Sequence, residues 1–75
     1  MNEPAHDKFA ALVRMANQIA VAFRVQPHAE AVASTAEHIQ LYWSRKMRAD
    51  IISYVDAGGQ GLEAMTIEAI KSLRA

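Results

Sequence analysis

Residues 39–48 of the chain read IQLYWSRKMR, and this stretch decides how the rest of the sequence is arranged. It contains the only tryptophan, Trp43, followed by three cations within four residues. Apolar residues precede the tryptophan at the three- and four-residue steps of one helix face, namely Val32, Ala36 and Ile39. Ser44 then begins a new helix, because its hydroxyl can accept a free backbone N–H of the first turn.

The cations Arg45, Lys46 and Arg48 lie in the first turn of the helix that follows Ser44, where the helix dipole makes positive charge mildly unfavourable. Their placement indicates either contact with a partner protein or a solvated helix end. Lys46 has an acid four residues later, Asp50, whereas Arg48 has none. We therefore expect Arg48, together with Arg45, to contact a partner without stabilising the fold.

Apolar residues at helical spacing predict an all-α fold, a small single domain of about four short helices. The predicted helices cover residues 7–24, Pro27 to Tyr42 or Trp43, residues 45–56 and residues 62–73, after a loose lead-in over residues 1–6. Pro27 should end the first helix by about Val25 and lie in the first turn of the second.

The glycine-rich run at residues 57–61, AGGQG, should end the third helix, because glycine readily adopts the left-handed conformation found there. A phosphate-binding loop is a poor alternative, since the run follows a helix and lacks the Lys-Ser/Thr pair.

Two helix faces are less polar than an ordinary solvent-exposed helix face. On the second helix we expect an inner stripe of Ala29, Val32, Ala36, Ile39 and Trp43, and an outer face of Ala31, His38, Leu41 and Tyr42. Either another helix or another protein must cover this outer face. The outer face of the first helix, around Met15 and Gln18, is only weakly polar. This composition reflects either high helix propensity or a second contact face. The candidate partner-binding residues are therefore His38, Leu41, Tyr42, Arg45, Arg48 and Gln18.

Composition excludes several classes of function. The chain has 75 residues, zero formal net charge and no cysteine, so disulfides and thiolate metal sites are excluded. The absence of a basic excess argues against nucleic-acid binding through charge, and no apolar run approaches the roughly 20 residues of a membrane span. Three scattered histidines do not resemble a metal-binding set. We expect a soluble, cytoplasmic protein without a cofactor of its own.

Catalytic chemistry is also missing. An active site needs a nucleophile beside a base, or paired acids in a pocket. Ser34, Thr35 and Ser53 lie within predicted helices without a histidine at a suitable spacing, and Glu37 and His38 point to diverging faces. The residues alone therefore predict a helical domain that acts by binding a partner.

Several short segments follow one another after residue 10: LVRMANQIA (12–20), Phe23, EAVA (30–33), AEHI (36–39) before Trp43, MR (47–48), DAGGQGL (56–62) and EAI (68–70). No single segment is specific, but their order and spacing resemble the small delta subunit of cytoplasmic NAD-dependent molybdenum formate dehydrogenases. The chain departs from that pattern at Ser44-Arg45 and at Glu63-Ala64, where members often have an acidic or serine residue before proline. Glutamate is a weak helix cap, so we expect the fourth helix to fray at its start.

The resemblance implies a non-catalytic accessory subunit. Such a subunit would bind the large molybdenum-containing alpha subunit and support assembly or maturation of the enzyme, whose beta and gamma subunits carry electrons to flavin and NAD. The alternative is a free-standing helical binding module, either a helix-turn-helix regulator or a chaperone for the molybdenum cofactor.

The sequence makes one prediction about stability. Trp43 should be mostly buried, with its indole N–H paired to an acceptor. Trp43→Ala should therefore lower the free energy of unfolding by about 3–5 kcal/mol, comparable to the whole stability of a small domain. Chemical denaturation measures this loss. A tryptophan emission maximum typical of full water exposure in the folded protein would contradict the prediction.

Overall fold

The computed structural model describes residues 7–74, with side chains from Phe9 onward. It contains four helices, α1 (Asp7–Phe23), α2 (His28–Tyr42), α3 (Arg45–Asp56) and α4 (Ala64–Lys71), and this range holds no strand. The predicted all-α fold is therefore confirmed. The loose lead-in predicted for residues 1–6 lies outside the described residues.

α1 buries the stripe that its periodicity predicts. Leu12, Ala16 and Ala20 are buried, and Val13 and Ile19 are half-buried beside them. The small alanines lie on successive turns and let neighbouring helices approach closely. α1 contacts each of the other three helices. The helix ends at Phe23, before the proline-restricted connection, as the sequence predicts.

Pro27 lies one position earlier in α2 than predicted. It is the residue just before the helix, with φ −53° and ψ 150°, and its carbonyl accepts the N–H of Ala31 at 2.8 Å. An extended ψ is the conformation of a helix cap, so proline fixes the direction of approach from outside the first turn.

The inner face of α2 was predicted wrongly in its first half. Ala31 and Thr35 are buried there, whereas Ala29 is exposed; Ile39 and Trp43 are buried as predicted. Thr35 is the polar residue of this buried stripe. Its hydroxyl, however, donates to the carbonyl of Ala31 at 2.7 Å, so the buried group is paired. α2 packs against both α1 and α4.

The turn between α2 and α3 forms as the sequence predicts. Ser44 accepts a hydrogen bond from the N–H of Met47 at 3.1 Å, and α3 begins at Arg45. Trp43 is only 5% exposed and joins the core formed with Leu12, Ala16, Ile39, Ile51 and Ile70. Its indole N–H forms no hydrogen bond to the described residues, so that part of the prediction is not met.

The glycine run ends α3, because Gly58, Gly59 and Gly61 all have positive φ. Gly59 also lies close to α4: a Cβ there would be 3.3 Å from Ile67 Cδ1, so a side chain would need local movement as well as strain.

α4 begins at Ala64, later than the predicted Leu62, and ends at Lys71, earlier than the predicted Leu73. Glu63 precedes its first turn without a side-chain cap, as expected for glutamate. Asn17 of α1 compensates: its Oδ1 accepts the N–H of Glu63 at 3.1 Å, and its Nδ2 donates to the carbonyl of Gly61 at 2.9 Å. One side chain of α1 therefore fixes the start of α4.

Within residues 9–74, one buried side-chain oxygen lacks a hydrogen-bond partner, and this generates a prediction. Thr66 on α4 is fully buried, and its Oγ1 has no hydrogen-bond partner in the structure. Thr66→Val replaces this hydroxyl with a methyl of similar size and should raise the free energy of unfolding by about 1 kcal/mol. The matched control, Thr35→Val, removes a hydroxyl that is paired and should not stabilise. Urea denaturation of both variants measures the difference, and equal effects would contradict this account of Thr66.

Candidate protein-docking site

A groove lies between the second half of α1 and the end of α2. It has a volume of about 420 Å³ and is mostly apolar. We call it the aromatic groove; its lining residues are Met15, Gln18, Ile19, Ala22, Phe23, His38, Tyr42 and Trp43. The α1 members recur at three- and four-residue steps, so they form a continuous wall along one side.

His38 lies at the centre of the α2 wall. Its ring is half-buried, 4.8 Å from the Tyr42 ring centroid and 6.2 Å from that of Phe23, to which it is edge-on. Edge and offset contacts of this kind favour one arrangement of the three rings. This aromatic cluster connects α1 to α2 at the surface of the domain.

Leu41 lies beside the groove, in a smaller depression of about 270 Å³ that also includes Glu37 and Ser34. Leu41 is 67% exposed and Tyr42 73% exposed, so no other helix among residues 7–74 covers them. This confirms that both side chains lie on the outer face of α2. Ala31 was assigned to the same face, and that assignment is wrong because Ala31 is buried against the neighbouring helices.

The structure brings together Gln18, His38 and Tyr42 in the groove, with Leu41 next to them. Arg45 is exposed but does not line the groove. Whether these residues contact a partner stays a prediction.

Arg48 stabilises the fold, contrary to the expectation drawn from the sequence, and whether it also contacts a partner stays a prediction. Its Nη1 donates to the carbonyl of Trp43 at 2.7 Å and to that of Gln40 at 3.3 Å, and its Nε donates to the carbonyl of Arg74 at 2.8 Å. The absence of an acid four residues later was a poor guide, since carbonyl oxygens at the end of another helix supply the partners.

Sequence reasoning missed Ile19, Phe23 and Trp43 as groove residues, because it assigned them to the core. Trp43 belongs to the core and Ile19 packs against it, and both also line the groove. The weakly polar face around Met15 was the available signal for a second contact surface on α1.

Residues 7–74 contain no group of three or more His, Asp or Glu side chains that could hold a metal ion. Within the same range, no helix has the length and apolar character needed to cross a membrane.

The fold and groove define a small all-helical domain with a mostly apolar groove on its surface. Residues 11–70 match the family model described as NADH-dependent formate dehydrogenase delta subunit FdsD, and the chain belongs to this family. The resemblance seen in the sequence is therefore confirmed. No curated protein and no solved structure shows significant similarity to the chain. The family description makes the chain a subunit of a multi-subunit formate dehydrogenase complex.

The contacts of Arg48 reverse the expectation drawn from sequence. Arg48→Ala should lower the free energy of unfolding by about 1–2 kcal/mol, because hydrogen bonds from a charged donor are lost and the carbonyls at the end of α2 lose their partner. The control, Arg45→Ala, removes an exposed cation nearby and should change stability by under about 0.5 kcal/mol. Urea denaturation followed by circular dichroism measures both. Equal stability of the two variants would show that the Arg48 contacts contribute nothing.

Proposed function

We propose that this chain is a non-catalytic accessory subunit that binds the large molybdenum-containing alpha subunit and supports assembly or maturation of the enzyme. The beta and gamma subunits belong to the same complex. The observation that carries the proposal is the match of residues 11–70 to the delta-subunit family, together with an apolar groove open to solvent.

The side-chain chemistry of the described residues supports an accessory role. The hydroxyl of Ser34 donates to the Gln26 side chain, and that of Thr35 donates to a backbone carbonyl. His28 pairs with Glu68 at an exposed surface, and His38 is held between aromatic rings. These arrangements place no nucleophile beside a base.

The exposed apolar side chains support binding to a protein. Leu41 and Tyr42 project from consecutive positions at the end of α2, on the rim of the groove. Large aromatic and aliphatic anchors of this kind contribute most of the binding energy in many interfaces. The helix-turn-helix alternative is weaker, because Lys46 pairs with Asp50 and the Arg48 guanidinium is held against backbone carbonyls, so Arg45 is the one exposed cation of the turn without an ion pair among residues 9–74.

Binding alone can support assembly. A subunit that binds the assembled form but not its unfolded components stabilises that form by mass action, by about 2.7 kcal/mol when its concentration is 100 times the dissociation constant. This mechanism needs no chemistry from the accessory chain. It needs only a surface that recognises the large subunit in its assembly-competent state.

The proposal predicts the effect of changing the exposed apolar pair. With an affinity-tagged alpha subunit, the wild-type chain should co-purify in high salt. Leu41→Ser combined with Tyr42→Ser should weaken association at least about tenfold, because two anchors are lost. Val25→Ser is the matched control: Val25 is 92% exposed and lies outside the groove, so this variant should bind normally.

Circular dichroism of the isolated variants should show unchanged helicity. Loss of helicity in the double variant would instead assign Leu41 and Tyr42 a structural role. Failure of the wild-type chain to associate with the alpha subunit would reject the proposed function itself.

A further inference from the structure

The charged groups near the aromatic groove are unequally distributed. Arg14 directly precedes the groove residue Met15 on α1, and it shares a helix face with Gln18, four residues later. Arg45 follows the groove residue Trp43 by two positions. Phe23 contacts His38 edge-on. From this contact, the other groove residues of α1 lie toward the start of that helix, and Tyr42 and Trp43 lie toward the end of α2. Leu12, Ala16 and Trp43 belong to one core cluster, so Arg14 and Arg45 lie near the same end of the groove by their positions in the chain, although neither lines it.

These two cations lack the partners that neighbouring cations have. Arg24 pairs with Glu63 and Lys46 with Asp50, while the Arg48 guanidinium is bound to backbone carbonyls. Arg14 and Arg45 are exposed and form no ion pair with the described residues. Arg45 also opposes the dipole at the start of α3. Ion pairing within the described residues therefore does not explain either charge.

The opposite end of the groove is acidic. Glu37 lies in the depression next to His38 and Leu41, is exposed, and forms no ion pair within residues 9–74. The groove thus has apolar walls, two guanidinium groups at one end and one carboxylate at the other.

We propose that the aromatic groove receives an amphipathic helix of the large subunit, with its apolar face between α1 and α2 and its carboxylate side chains against Arg14 and Arg45. This inference rests on the proposed function and specifies the chemistry of the partner. Helices commonly bind in this way, with anchors at three- and four-residue spacing.

The dimensions suit this occupant. The α1 wall from Met15 to Phe23 spans eight residue steps, or about 12 Å at 1.5 Å per residue. Two turns of a bound helix cover that length and present two or three apolar anchors on one face. A carboxylate at one end of such a segment would pair with either guanidinium, which can donate two parallel hydrogen bonds.

A second copy of the chain is a poorer occupant. In a symmetric pair, each groove would receive the same face of its partner, and the carboxylate of that face is Glu37 alone. Two guanidinium groups would then face a single acid. A segment carrying two or more acids complements the groove better, because charge complementarity suppresses incorrect partners and directs association.

The first test identifies the occupant in the intact complex. The photoreactive residue p-benzoylphenylalanine replaces Gln18 on the groove wall, and illumination of the purified complex is followed by mass spectrometry. The expected product joins position 18 to one large-subunit segment with apolar residues at helical spacing and Asp or Glu at one end. Cross-linking to a second copy, or to a segment without acids, would overturn the inference.

The second test measures the charge contribution. Arg14→Glu and Arg45→Glu should each weaken binding of the large subunit about tenfold at low salt, and less at high salt, because reversal turns attraction into repulsion. Lys71→Glu is the matched control, an equal charge change on α4 outside the groove, and should change binding less than about twofold. Reversing the cross-linked acid of the large subunit to Lys should restore binding of Arg45→Glu.

The outcomes separate the two proposals. If the wild-type chain fails to bind the large subunit, both are rejected. If it binds, and the charge-reversed variants bind as well as Lys71→Glu, then the accessory function stands and the charged groove is rejected. Circular dichroism of each variant confirms that the helices are retained.

Discussion

The Arg48 guanidinium connects three parts of the chain. It donates hydrogen bonds to the carbonyls of Gln40 and Trp43 at the end of α2, from a position in the first turn of α3, and to the carbonyl of Arg74 after α4. The last carbonyls of a helix have no partner within it and carry its negative dipole end. A cation that is unfavourable at the start of α3 is therefore favourable, because the end of α2 is adjacent. Gln40 reinforces the same junction by pairing with the backbone of Arg74 through both side-chain atoms.

This junction determines where Trp43 lies. The tryptophan is the residue at which α2 ends, with an extended backbone, and Ser44 starts α3 immediately afterwards. Its indole is held between the buried core and the end of the aromatic groove. The turn thus stabilises the domain and also completes one wall of the candidate docking site. A substitution that loosened this turn would therefore affect both the stability of the domain and the shape of the groove.

The core is built largely from small side chains, and this affects the surface. Four buried alanines, Ala16, Ala20, Ala31 and Ala69, allow close approach of the helices but remove little apolar area from water. Several large apolar side chains remain outside, including Leu41 and Tyr42. A domain of this size gains limited stability from one core, so association with a partner would add stabilisation that the isolated chain lacks.

The sequence by itself determined the helical class, the bounds of α1 and α3, the Ser44 cap and the family, because these depend on local spacing, capping chemistry and residue order. It also determined that Leu41 and Tyr42 lie outside the core. Only the tertiary structure decided that Thr35 is buried, that Arg48 binds backbone carbonyls, and that Phe23, His38 and Tyr42 form one aromatic cluster. Those facts depend on which distant backbone or ring reaches each side chain, and helical periodicity contains no information about such contacts.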